Sequence, residues 1–297
     1  MPAKNNKPGN NNMPDKSGDK YCAPIGVFDS GLGGLTVLKH LAKSLPQYNY
    51  LYLGDNARVP YGEKSTQTIY EYSCEAAEFF FRRGCRLIII ACNTASAQAL
   101  RRLQEEFLPV HYPDRKILGV IRPLAEKFSH HKLSAVGVIG TKATISSDVY
   151  TTEIHKLNPK IRVEQKSTPL LVPLIEEGWA KKAETKMILR KYLRPLRMKQ
   201  IEALILGCTH YPFLLKEIRK IMGRKISVPD PGEVVAASLK AYLERHPELD
   251  IKPSQQPQIN FYTSDDPATF KNLGEKFLGQ QIDNIEHAEI SGLSPQT

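Results

Sequence analysis

The sequence predicts an α/β protein. Short β-branched runs alternate along the chain with longer stretches of helical periodicity. The runs are apolar at nearly every position, as strands covered on both faces are, and strand–helix–strand alternation implies parallel crossovers. The third observation is an internal echo. Ile25-Gly-Val-Phe-Asp-Ser-Gly31 passes from an apolar run through small polar residues into a helical stretch, and Val136-Gly-Val-Ile-Gly-Thr-Lys142 repeats that design. Leu87-Ile-Ile-Ile-Ala-Cys92-Asn-Thr and Ala203-Leu-Ile-Leu-Gly-Cys208-Thr-His likewise share an apolar run, a small residue, a cysteine and two polar residues. A duplication would give two related lobes, each presenting one cysteine at an equivalent place; chance likeness between apolar strands is the competing reading.

In order, the chain reads strand 24–28, helix 36–45, strand 50–53, helix 65–83, strand 87–91, helix 95–107, strand 117–120 and helix 123–128. It continues with strand 135–139, helix 146–157, strand 162–165, helices 173–177 and 183–194, strand 203–206, helices 212–222 and 232–244, and strand 259–262. Each strand is assigned from a β-branched or aromatic run, each helix from apolar residues at three- and four-residue spacing. Residues 1–20 carry five Asn, three Pro and no periodicity, and read as a flexible tail; SGLSPQT at the other end reads the same way.

With 297 residues there is room for about two domains, and 41% apolar with 24% charged residues excludes disorder throughout. The longest clean apolar run, Leu87 to Cys92, is far short of the roughly 18 residues of a membrane span. No apolar core marks the first twenty residues as a secretory signal, so the cytoplasm is the expected compartment. Five cysteines, an odd number without CxxC or Cys/His ligand spacing, argue against a disulfide framework and a metal site. The net charge of +10 gathers partly in 186–199, with six Lys/Arg and no acid. That segment suits a polyanion, but Leu189, Tyr192, Leu193 and Leu196 interleave at helical spacing, and a solvated basic helix face accounts for it equally.

In open parallel sheets, ligands bind outside the carboxyl ends of the strands. Cys92 and Cys208 both fall there, each after an apolar run and before a helical stretch. A helix N-terminus favours a thiolate, and a modest downward shift from about 8.5 would make either cysteine a base at neutral pH. Cys22, Cys74 and Cys85 read as packing. Asp29-Ser-Gly-Leu-Gly-Gly34 opens a helix with glycines that let N–H groups approach a carboxylate or phosphate, but it fits neither the dinucleotide fingerprint nor a P-loop. Asp29 reads either as a ligand for an ammonium or as a helix cap. Tyr61 and Gly62 end a polar turn that reads as a binding loop or an ordinary one. His210, two residues past Cys208, suits thiol activation, general acid work or structure alone. Glu176 reaches the same cleft or sits on a helix surface.

Six segments together resemble glutamate racemases. They are FDSGLGGL at 28–35, YLGDNARVPYG at 52–62, IIIACNTASA at 88–97, GVIGTKATISSDVY at 137–150, VPLIEEG at 172–178 and LILGCTHYP at 204–212. The likeness runs from about Pro24 to Gly279, including FYTSDDPATF and EKFLG. It implies two pseudo-symmetric lobes with the active site between them, and racemisation of L- and D-glutamate for peptidoglycan precursors with no cofactor. On the element order, the lobes are 23–116 with 230–285 and 117–229, between tails at 1–22 and 286–297. The resemblance makes Cys92 and Cys208 the two acid/base thiols, the first taking the proton of D-glutamate and the second that of L-glutamate. It makes Asp29, Ser30, Tyr61, Gly62, Asn93, Thr94, Thr209 and His210 substrate contacts, Thr141 and Thr144 a further carboxylate contact, and Asp29, His210 and Glu176 aids to catalysis. It further implies a homodimer, and leaves open a UDP-muramoyl-alanine activator and a secondary contact with a polyanion or DNA gyrase. Two segments depart from the family pattern, Val120-Ile-Arg122-Pro and Ser167-Thr-Pro169, and neither is expected at the substrate.

Three rival readings remain. A racemase of aspartate or a related amino acid shares the two-thiol layout, a hydrolase needs only Cys208 and His210, and a binding module needs neither cysteine.

Overall fold

The structure, a computed structural model, describes residues 22–129 and 133–292. Its frame is two parallel sheets. The larger holds six strands in the order β4-β3-β1-β2-β8-β9, the smaller three in the order β6-β5-β7. The strands are β1 Ile25–Asp29, β2 Tyr50–Gly54, β3 Leu87–Ile90, β4 Lys116–Gly119, β5 Ala135–Gly140, β6 Arg162–Ser167, β7 Ala203–Gly207, β8 Ile259–Thr263 and β9 Ile285–His287. Every pairing is parallel. The internal echo reappears as pairing, with β1 beside β3 and β5 beside β7.

Alternation along the strands divides the core. In the large sheet Ile25, Val27, Leu87 and Ile89 face one layer of helices while Phe28, Ile88 and Ile90 face the other. In the small sheet Ile139, Leu204 and Leu206 face one side and Val136, Val138 and Ile205 the other. Burial of each such side chain contributes roughly 1.5–3 kcal/mol.

Several expectations need correction. β4 was expected to open the second lobe at 117, but it pairs with β3 and belongs to the large sheet. The tail expected from 286 is not one over its first residues, for Ile285–His287 pairs with β8 and Ala288 and Ile290 are buried; its last five residues lie outside the described ones. The strand Ile-Glu-His is too polar and short for periodicity to show it. A helix at Pro267–Leu278 is new, although Asp266 caps it, Pro267 opens it and Gly279, at φ 77°, closes it. The helix expected at 146–157 is two, Lys142–Ser146 and Val149–Leu157, parted at Asp148 with φ 52°. Helix Ala183–Met198 runs through Pro195 and buries Leu189, Leu193 and Leu196, leaving its basic face exposed. The expected N-terminal tail lies outside the described residues except for Cys22, whose carbonyl accepts from Asn49. No described helix is long and apolar enough to cross a membrane.

Candidate active site

The carboxyl ends of β1, β3, β5 and β7 converge on one cavity of about 200 Å³, walled by residues from both sheets. Cys92 and Cys208 both line it, with Ser30, Tyr61, Gly62, Asn93, Thr94, Thr141, Glu176, Thr209 and His210. Asp29 and Thr144 are wholly buried behind that wall. All the expected site residues are therefore drawn together. Among the described residues no cluster of three or more His, Cys, Asp or Glu could hold a metal ion.

Cys92 is the N-cap of helix Asn93–Gln98, its Sγ accepting the Ala95 N–H at 3.5 Å and donating to Ser30 Oγ at 3.4 Å. The helix terminus does not set its titration. Burial foremost, then the Asp29 carboxylate, pushes the thiol up to about 12, against the modest fall expected from sequence. Those surroundings favour the protonated thiol. Its counterpart is built differently. Cys208 Sγ lies 3.8 Å from His210 Nδ1, and His210 Nε2 lies 3.0 Å from Glu176 Oε1. Burial draws the imidazole's pKa down, but the bonds to Cys208 and Glu176 outweigh it and raise it to about 10. The ring thus stands between the Cys208 sulfur and the Glu176 carboxylate, and both contacts favour its protonated form. Glu176 stands at the rim, 45% exposed, so it is both helix surface and cleft.

Asp29 is no helix cap. The cap position of helix Leu35–Ser44 is Gly34, while Asp29 Oδ2 accepts the Gly31 N–H at 3.0 Å. Burial raises its pKa, opposed by the His210 charge and by the Gly31, Gly34 and Thr209 donors. The glycines of this loop also serve close approach: a Cβ on Gly33 would lie 2.3 Å from Thr209 Oγ1 and 2.6 Å from His210 Nδ1. Thr36 Oγ1 reinforces the contact by donating to the Thr209 carbonyl at 2.9 Å.

On the opposite wall, Thr94, Thr141 and Thr144 form a triangle of hydroxyls 3.0–3.3 Å apart that spans the two sheets. Tyr61 turns its hydroxyl away from the cavity, donating to Asp55 Oδ2. Asp55, wholly buried, also accepts from Arg58 Nε and Ser264 Oγ, each at 2.7 Å. Sequence reasoning missed Asp55, although it stands in the segment YLGDNARVPYG. It also misplaced a departure: Thr168 and Pro169 were expected away from the site, yet both line it, and Thr168 Oγ1 is 2.6 Å from Tyr211 Oη. The turn after β6 carries them there, and nothing in local spacing marks that.

Comparison with known proteins agrees with this geometry. The Asp/Glu/hydantoin racemase family matches residues 25–239. A glutamate racemase from Geobacter metallireducens is 43% identical over 90% of this chain and 96% of its own. The crystal structure of glutamate racemase from Francisella tularensis in complex with D-glutamate superposes with a TM-score of 0.83 at 36% identity, over 91% of this chain and 99% of that one. That of Escherichia coli glutamate racemase, in complex with L-glutamate and the activator UDP-MurNAc-Ala, gives 0.68 at 26% identity over 89% of this chain and 98% of that one. Two sheets whose strand ends share one cavity, and a match spanning most of the chain, lead to one conclusion: the chain belongs to the Asp/Glu/hydantoin racemase family.

Proposed function

We infer that this enzyme interconverts L- and D-glutamate by two-base proton transfer between Cys92 and Cys208. The observation that carries the reading is the pair of thiols, one from each sheet, lining the same cavity at the carboxyl ends of β3 and β7. Racemisation at carbon breaks the α C–H bond on one face and forms it on the other, so one sulfur must accept a proton while the other donates. The different surroundings of the two sulfurs suit that asymmetry. Burial and the Asp29 carboxylate favour the protonated thiol at Cys92, while Cys208 has beside it an imidazole whose proton affinity is raised. With L-glutamate bound, Cys208 sulfur takes the α-proton and Cys92 returns its own to the opposite face; with D-glutamate the roles reverse.

Matched acid and base groups contribute roughly 10²–10⁴ in rate, too little alone for so weak a carbon acid. The remainder comes from donors fixed on the α-carboxylate as charge moves onto it. Ser30, Asn93, Thr94 and Thr209 supply them from the cavity wall, and the threonine triangle adds Thr141 and Thr144. Glu176 holds the Nε2 end of the imidazole, and the Asp29 carboxylate interacts with the ring through charge. The reading needs no cofactor. All five cysteines are free, which suits a reducing cytoplasm where D-glutamate would enter peptidoglycan precursors. A homodimer, activation by a UDP-muramoyl-alanine such as the one bound to the Escherichia coli protein, and a polyanion on the basic 186–199 face extend the same reading.

The test is incubation with L-glutamate in D₂O without added cofactor, followed by NMR of the α-position and circular dichroism. Deuterium uptake with loss of optical activity is expected. The Cys208–His210–Glu176 line also suits a thiol hydrolase. That reading would show no exchange, an acyl adduct on Cys208 by mass spectrometry, and indifference to Cys92.

A further inference from the structure

Asn93 sits between the two halves of the site. It follows Cys92 at the start of helix Asn93–Gln98, lines the cavity and is only 4% exposed. Its Oδ1 accepts a 2.6 Å hydrogen bond from Tyr150 Oη. Tyr150 belongs to helix Val149–Leu157, which packs with the small sheet, and is wholly buried; burial holds its phenol protonated and able to donate. Its ring lies against Gly207, where an added Cβ would come within 3.1 Å of Cε2. One side chain therefore touches the residue before Cys208 and the residue after Cys92. Among the described residues nothing accepts from Asn93 Nδ2, and a carboxamide has two ends with opposite capacities. With the oxygen engaged by the phenol, the N–H₂ end is left for the cavity.

We propose that Tyr150 is a positioning residue: its hydroxyl holds the Asn93 carboxamide with Nδ2 toward the substrate carboxylate. Asn93 follows β3 of the large sheet and the Tyr150 helix packs with the small one, so the bond that orients the amide spans the two halves of the cleft. Without the phenol, the amide rotates between two faces and half of its orientations present oxygen to a carboxylate. The inference rests on the racemase reading, so exchange by the wild-type enzyme is established first; its absence counts against that reading and not against Tyr150.

The experiment is a double-mutant cycle of Tyr150→Phe and Asn93→Ala, reading kcat and KM for both enantiomers. Tyr150→Phe is expected to lower kcat/KM roughly tenfold, the scale of one neutral hydrogen bond, and to add nothing in the Asn93→Ala background. Full additivity, or no effect of Tyr150→Phe, overturns the proposal. Asn93→Asp provides a second test that retains the phenol's acceptor. Aspartate would set a second oxygen against the substrate carboxylate, so KM should rise at least tenfold with the thermal midpoint little changed. An unchanged or lower KM would mean that the oxygen end faces the substrate, which overturns the assigned orientation.

Discussion

Thr209 Oγ1 donates to Asp29 Oδ1 across 3.3 Å, tying the residue after one thiol to the strand end beside the other. Asp29 also raises Cys92, and the charge of His210 is the largest influence offsetting the burial of Asp29 itself. Asp29→Asn keeps the size and removes the carboxylate charge. We expect kcat/KM for either enantiomer to fall about 10²-fold, within the range for a group assisting proton transfer, with the circular dichroism of the fold unchanged. Wild-type kinetics would take Asp29 out of the chemistry.

The two cysteines are equally indispensable under a two-base scheme, despite their different surroundings. Cys92→Ser and Cys208→Ser should each abolish net racemisation from both enantiomers, because a hydroxyl at either position is a much weaker acid than a thiol. Retained turnover in either single variant sinks the assignment.

His210 links the site to stability. Its folded-state pKa, about 10, lies above the ordinary 6.5. A group raised on folding contributes fully below its unfolded value and loses that contribution as pH rises through the folded one. The thermal midpoint should therefore fall between about pH 6.5 and 10, apart from changes due to other groups. His210→Asn should flatten the profile over the same interval. Identical slopes in the two proteins would show that the ring gains no proton affinity on folding.

Gly33 tests the seam between the halves. An alanine methyl would meet Thr209 Oγ1 and the His210 ring well inside contact distance. Relief by shifting costs about 1–3 kcal/mol, as overpacking usually does, and it displaces the Cys208 partner. We expect Gly33→Ala to fold with a lowered thermal midpoint and to lose most of its activity. An enzyme with normal kcat would mean the seam is looser than the contact implies.

The elements that local pattern encodes most strongly were legible. β1, β3, β5 and β7 are apolar runs ended by small residues, and they place Asp29, Cys92, Gly140 and Cys208 at or just beyond their carboxyl ends. The capped helix Pro267–Leu278 was legible too, through Asp266, Pro267 and Gly279, and went unread. β9 was not, because Ile285–His287 carries two polar residues in three and takes its place from pairing with β8. Nor were the hydrogen bonds from Tyr150 to Asn93 or from Tyr61 to Asp55, since a hydroxyl has many partners of suitable chemistry in any sequence.

By itself, the sequence determined the α/β class, the strand ends and the residue types standing there. Those properties rest on the alternation and spacing of neighbours within a few positions. Tertiary structure decided that β4 joins the large sheet, that Thr168 enters the cavity wall, and that two thiols over a hundred residues apart share one cavity. These outcomes depend on which apolar faces pack together across the whole chain, a balance that no short window of sequence contains.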